Sequence, residues 1–343
     1  MKPIAIYITF IVLFFAYGAT YQQPDPALYN MHITETRDSE VFAEEELSLA
    51  TNDCKLYGTL LMPSQSEKQF PLVLIIAGSG PTDRNCNSPL LPGQNNTYKM
   101  LAEELAVNQI ASFRYDKRGI GASKLSPERL ADVSFQDYVN DATEWIELLR
   151  EDKRFSKIIV AGHSEGSLIG IIAARAAKAD ALISLTGMGR PMDQVIIEQV
   201  TVQLQGLPLL DTVMYYFDIL REGRRIRNVN PILISLFNPG SQLFLIEIMQ
   251  HDPAKEIARL DIPILIIHAA NDIQIKEKDA LLLYQAKPSA KLVTIKDMNH
   301  VLKNAEPADL SAYGNPELPV APELIKELVG FIKFCFISGL SKR

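Results

Sequence analysis

The chain has 343 residues, a formal charge of −7 and three cysteines. Its acidic balance gives no electrostatic reason to bind nucleic acid or an anionic membrane surface. Cys54, Cys86 and Cys335 cannot all pair and match no zinc spacing, so a disulfide scaffold and a structural zinc domain are excluded, although a single Cys54–Cys86 bridge is open.

Met1-Lys2-Pro3 leads into an apolar run from Ile4 to Tyr17 broken only by Thr9, followed by the small residues Gly18 and Ala19. One positive charge and a run too short to span a bilayer comfortably read as a signal peptide over residues 1–20. The protein is then exported, periplasmic or secreted, and has no stable membrane span after cleavage; an uncleaved anchor is the alternative. About 320 residues remain, enough for one large domain with an insertion. Residues 21–39 form a polar leader without period. The alternation from Leu47 to Leu61 predicts two antiparallel strands joined at Thr51-Asn52-Asp53.

Phe70 to Ala77 is a continuous apolar run, the pattern of a central strand buried on both faces. It ends in Gly78-Ser79-Gly80-Pro81-Thr82-Asp83-Arg84-Asn85, which is either a plain turn or a loop presenting backbone N–H groups to an anion. A helix over Tyr98 to Ala106 and a strand over Ile110 to Tyr115 follow. The loop Asp116-Lys117-Arg118-Gly119-Ile120-Gly121-Ala122-Ser123 reads as structural, its glycines and charges shaping the turn. Val133 to Arg150 is an amphipathic helix with Phe135, Val139, Ala142, Trp145, Ile146 and Leu149 on one stripe and Ser134 as N-cap.

Ile158 to Ile169 then carries Gly162-His163-Ser164-Glu165-Gly166 between an apolar strand and a helix. A sharp strand-to-helix turn needs glycine on both sides of the serine, and it lifts the hydroxyl clear of the sheet at a helix N-terminus. Ala181 to Leu185 is another buried strand. From Gly189 to about Leu260 no buried strand run occurs; Pro191 to Leu204, Asp211 to Arg221 and Pro231 to Gln250 have helical character. The layout is therefore an α/β core over 40–188 and 253–343, with a helical cap over 189–252 whose apolar face lines a pocket. Arg221, Arg224, Arg225 and Arg227 read as a solvated face. The alternation resumes with Pro263 to Ala269, a helix at Glu277 to Gln285, a strand at Lys291 to Ile295 and a closing helix at Pro322 to Cys335. Strand and helix alternating in this way predict a mainly parallel sheet flanked by helices.

Ser164, Asp272 and His300 each fall in a loop after such a strand, and in an open parallel sheet those loops cluster at the carboxyl ends of the strands. The chemistry needs all three types. Imidazole takes the proton of a poorly nucleophilic hydroxyl and returns it to the leaving group, while a carboxylate fixes the ring's tautomer. His163 adjoins the serine but neighbours in a tight turn point apart; His32, His251 and His268 lie away from the expected sheet edge. Asp297 competes with Asp272 for the acid role, and loop position favours Asp272. The oxyanion donors are the N–H of Glu165 and an N–H of Ser79 or Gly80. The Glu165 carboxylate, beside a developing oxyanion, must point away, be protonated or be paired.

At these residues the chain resembles the α/β-hydrolase family over about Leu47 to Cys335, and within it bacterial esterases and serine-aminopeptidase-like hydrolases. The resemblance rests on the elbow, on Gly78 to Asn85, on Asp116-x-Arg-Gly-x-Gly-x-Ser123 and on Asp272 followed by Ile-Gln-Ile. It implies an eight-stranded sheet, a cap and ester hydrolysis through an acyl-enzyme without metal or cofactor. Ala77 stands where many members carry histidine, and Gly-His-Ser-Glu-Gly replaces the commoner leucine-containing elbow. The expected substrate is a small ester of short or medium acyl length. Thioester, acyl-transfer or peptide chemistry by the same triad, or a non-catalytic binding module, are the alternatives.

Overall fold

The computed structural model describes residues 42–64, 69–204, 208–307 and 309–340. The signal peptide and the leader lie outside the described residues. Strands β1 (Phe42–Ala50) and β2 (Lys55–Pro63) form an antiparallel hairpin around Thr51 to Cys54. They extend a sheet whose remaining members are β3 (Phe70–Ile76), β4 (Ala111–Tyr115), β5 (Phe155–His163), β6 (Ala181–Leu185), β7 (Ile264–Ala269) and β8 (Lys291–Ile295). The spatial order is β1-β2-β4-β3-β5-β6-β7-β8. β2 runs antiparallel to β4, and every pairing from β4 to β8 is parallel. This is the α/β-hydrolase fold.

Successive side chains of a strand face opposite sides of the sheet, and β3 shows what that does here. Leu72, Leu74 and Ile76 enter one apolar cluster, while Val73, Ile75 and Ala77 enter the other. Helix α1 (Thr97–Val107) covers the second face together with the long C-terminal helix, whose Leu324, Leu328, Phe331, Ile332 and Cys335 all point into it. A four-residue helix, α2 (Pro127–Leu130), precedes α3 (Phe135–Glu151). The whole predicted stripe of α3 is buried in the first cluster, and Ser134 closes a capping box with Asp137. Helix α4 (Glu165–Ala176) lies beside it. None of the three cysteines is in a disulfide, so the Cys54–Cys86 bridge does not form.

Between β6 and β7 the described chain is helical: α5 (Met192–Gln203), α6 (Leu209–Arg221), α7 (Gln242–Ile248) and α8 (Pro253–Ala258). Ile196, Val200, Phe217, Leu220 and Leu245 join the same apolar cluster as α3 and α4, so this layer is packed onto the core. Its four arginines at 221, 224, 225 and 227 are exposed, as expected of a solvated face, and Arg221 also pairs with the buried Asp193 and with Asp218, which ties α6 to α5. The helical character of Pro231 to Gln250 is realised as two 3₁₀ turns, Pro231–Leu233 and Pro239–Ser241, followed by α7. The physical reason is local. Asn230 and Asn238 each accept from the N–H two residues on, and each is followed by a proline that starts a new turn. Helix α9 (Glu277–Ala286) and α10 (Pro322–Leu340) complete the fold. Among the described residues no helix is long and apolar enough to cross a membrane.

Candidate active site

β5 ends at His163, and α4 begins at Glu165, so Ser164 alone makes the turn between them. Its backbone sits at φ 54°, ψ −121°, a region that costs a non-glycine residue about 1–3 kcal/mol. The flanking glycines are obligatory on steric grounds. A Cβ on Gly162 would lie 2.1 Å from Gly166 O, and one on Gly166 would lie 2.4 Å from Ile76 O. The turn is thus pressed between its own helix and the end of β3. There the loop after β3 crosses the serine, since a Cβ on Gly78 would come within 3.2 Å of Ser164 Cβ. Glu165 is the first helical residue, so its N–H has no acceptor within the helix.

Asp272 and His300 follow the adjacent parallel strands β7 and β8, which brings them together. Asn271 N–H donates to Met298 O at 2.9 Å, locking the two loops in register. Asp272 Oδ2 lies 2.7 Å from His300 Nδ1. The other oxygen, Oδ1, accepts from the N–H groups of Gln274 at 2.7 Å and Ile275 at 2.9 Å. A carboxylate held this way accepts the Nδ1 proton, which leaves Nε2 as the free lone pair of the ring. Both side chains are buried, and Ser164 and His300 line one cleft with Gly78, Ser79 and Tyr313. Asp297, the rival acid, is exposed.

His163 lines the same cleft as Ser164 and His300, its ring 4.9 Å from that of His300, and holds three segments together. Its Nε2 lies 2.8 Å from His300 O, and its Nδ1 lies 2.7 Å from Tyr98 Oη. A carbonyl only accepts, so Nε2 carries the proton and Nδ1 accepts from the Tyr98 hydroxyl. Tyr98 Oη in turn accepts from Gly78 N–H at 3.2 Å. Burial, with His300 beside it, lowers the His163 pKa to about 3. Between pH 6.5 and 3 the unfolded chain then takes a proton that the folded chain refuses. Stability from this group is complete above pH 6.5 and is lost as the pH falls, by roughly 1.4 kcal/mol per pH unit. His163→Gln, which cannot titrate, is expected to flatten the slope of the urea midpoint between about pH 5.5 and 4. Equal slopes in the two proteins would count against this assignment.

His268, set aside as a strand residue, is buried in β7. His251 packs on Phe135 at a ring distance of 5.1 Å. His32 lies outside the described residues.

The two charged loops turn out to build one another. Asp116 accepts from Arg84 N, Nε and Nη2 at 2.8, 3.0 and 2.9 Å and from Ala122 N at 2.9 Å. The Glu165 carboxylate is paired: Oε1 lies 3.6 Å from Lys117 Nζ, with both side chains buried. Burial pulls the lysine's pKa down and the glutamate's up, and their attraction opposes both shifts. Sequence reasoning took Lys117 only as part of the loop's shape; no local signal marks its partner. A second cleft, open to solvent, lies next to Glu165 and Gly80. Its walls are Ile120, Leu130 and Val133 on the core side, Tyr138 from α3, and Phe244 and Leu245 from α7 of the cap. Among the described residues no group of three or more His, Cys, Asp or Glu is placed to hold a metal ion.

An α/β-hydrolase fold with a serine at its elbow, and a His–Asp pair on the neighbouring loops, defines the class. Residues 93–307 match the family described as serine aminopeptidase, S33, and the chain belongs to that family. It is similar to esterase EstD of Thermotoga maritima, 28% identical over 299 residues, which are 85% of this chain and 69% of that protein. In structure it is similar to Est1E from Butyrivibrio proteoclasticus with ferulic acid bound, with a TM-score of 0.55 and 17% identity over 86% of this chain and 99% of that one. It is also similar to an esterase of Pyrococcus furiosus, with a TM-score of 0.56 and 13% identity over 92% and 96% of the two chains.

Proposed function

We propose that the protein is a serine carboxylesterase acting on short or medium acyl esters through an acyl-enzyme. The observation that carries this is the 2.7 Å contact of His300 Nδ1 with Asp272 Oδ2 in the cleft that also holds Ser164. Ser164 Oγ attacks the ester carbonyl and passes its proton to His300 Nε2. The carbonyl oxygen takes up negative charge facing the Glu165 N–H and an N–H of the loop after β3. The C–O bond then breaks, and His300 gives the proton to the departing alkoxide. Water, deprotonated by the same Nε2, releases the acid and restores the serine.

The name of EstD supports the ester reading, and so does the second cleft. Its six largely apolar side chains suit an acyl group of a few carbons. An aminopeptidase needs an uncommitted carboxylate for the substrate's ammonium group. Glu165 is the one acidic side chain among the described residues lining the two clefts, and Lys117 occupies it. The purified protein is expected to turn over p-nitrophenyl acetate or butyrate at least about tenfold faster than an acyl-CoA or an aminoacyl p-nitroanilide. The reverse order would replace the esterase reading with one of the others. The reading includes export directed by residues 1–20; a mature protein that still began at Met1 would count against cleavage.

A further inference from the structure

Two buried charges border the site and take no part in the proton transfers above. Lys117 Nζ donates to Gly78 O at 2.5 Å, lies 3.6 Å from Glu165 Oε1 and sits 5.0 Å from the centroid of the Tyr138 ring. Burying a lysine and a glutamate costs desolvation that their attraction offsets only in part, and an apolar pair of the same volume would pack as well. The placement of the lysine points to its use. Gly78 O and Ser79 N–H belong to one peptide unit, and among the described residues no peptide is cis. The oxygen and the N–H therefore point in opposite directions. A donor fixed on the oxygen sets where the N–H points, and it makes that N–H a stronger donor. Ser79 lines the cleft of Ser164 and His300, whereas Gly80 lines the neighbouring cleft. The same ammonium reaches the side chain of Glu165, whose own N–H is the other donor. One side chain thus braces both segments that face the developing oxyanion.

We propose that Lys117 is the positioning residue of the oxyanion hole, clamping the Gly78–Ser79 peptide so that the Ser79 N–H acts with the Glu165 N–H. It also balances a carboxylate that would otherwise oppose the oxyanion. This rests on the serine-hydrolase reading above.

The test compares Glu165→Gln with the double variant Lys117→Met/Glu165→Gln, which removes the lysine without stranding a buried carboxylate. Relative to Glu165→Gln, the double variant is expected to lose about 10²-fold in kcat for p-nitrophenyl acetate. KM stays within about threefold, because the clamp acts on the transition state rather than on the bound ester. A trifluoromethyl ketone, whose adduct with serine carries an oxyanion, weakens by a factor similar to the loss in kcat. Equal kcat in the two folded variants overturns the proposal. Should the double variant not fold, the wild-type protein decides. In a crystal structure of its phosphonate adduct, the phosphonyl oxygen is expected within about 3.1 Å of Ser79 N and Glu165 N, with Nζ still on Gly78 O. An oxygen held by Gly80 N–H instead, or a lysine off Gly78 O, overturns it. A wild type with neither turnover nor adduct overturns the hydrolase reading and this inference together; an active wild type that fails either Lys117 test overturns this inference alone.

Discussion

Ser164→Ala is expected to lower ester turnover by about 10⁵–10⁶-fold while leaving the fold in place. Alanine occupies the same backbone region at the same cost as serine, and the side chain is already buried to 8% exposure, so no cavity larger than one oxygen is made. What disappears is the atom that becomes covalently bound. A residual rate about 10³–10⁴ above the uncatalysed reaction should survive, because the backbone donors and the clefts are untouched. The two effects separate cleanly in experiment. A fluorophosphonate probe labels the wild type and not the variant, and the melting temperature stays within about 2 °C, the shift of a 1 kcal/mol change in a chain of this size. A variant retaining one part in about 10² of the activity would place the nucleophile elsewhere.

The strands and the loops that carry Ser164, Asp272 and His300 were legible because their signals are local. Phe70 to Ala77 is apolar throughout, and it is buried on both faces. The elbow glycines declare a turn whose cost is confirmed by sub-2.5 Å approaches of any added Cβ to backbone. The loop positions of Asp272 and His300 follow from two strands that pair in parallel. Illegible were the contacts whose partners are far apart in the chain. Arg84 and Asp116 read as two separate loops, yet their three hydrogen bonds span 32 residues and shape both. Glu165 raised a question that the sequence posed without answering, because nothing in Asp116-Lys117-Arg118 says which charge turns inward. Arg118 pairs with Asp141, while Lys117 goes to the elbow. Pro231 to Gln250 was legible only in part. Its apolar spacing is helical, but Asn230-Pro231 and Asn238-Pro239 compete locally and break it into turns.

The second large effect concerns the acid. Asp272→Asn is expected to reduce kcat by about 10³–10⁴-fold with KM little changed. Asparagine has the same shape, and its carbonyl can still accept from Gln274 and Ile275 N–H, as Oδ1 does now. The other arm then becomes an NH₂ group facing His300 Nδ1, where Oδ2 stood at 2.7 Å. Two donors cannot share that contact, so the ring must move its proton to Nε2. The nitrogen that should accept from Ser164 is then already occupied. The loss therefore arises from a change of tautomer rather than a change of position, and stability should be nearly conserved. Asp297→Asn supplies the contrast. Asp297 is exposed and sits at φ 61°, a conformation asparagine adopts readily, so its kcat should stay within about threefold of wild type. Kinetics of the two variants side by side decide between the carboxylates. If Asp297→Asn were the more damaging, the 2.7 Å contact would be structural, and His300 would owe its orientation to another group.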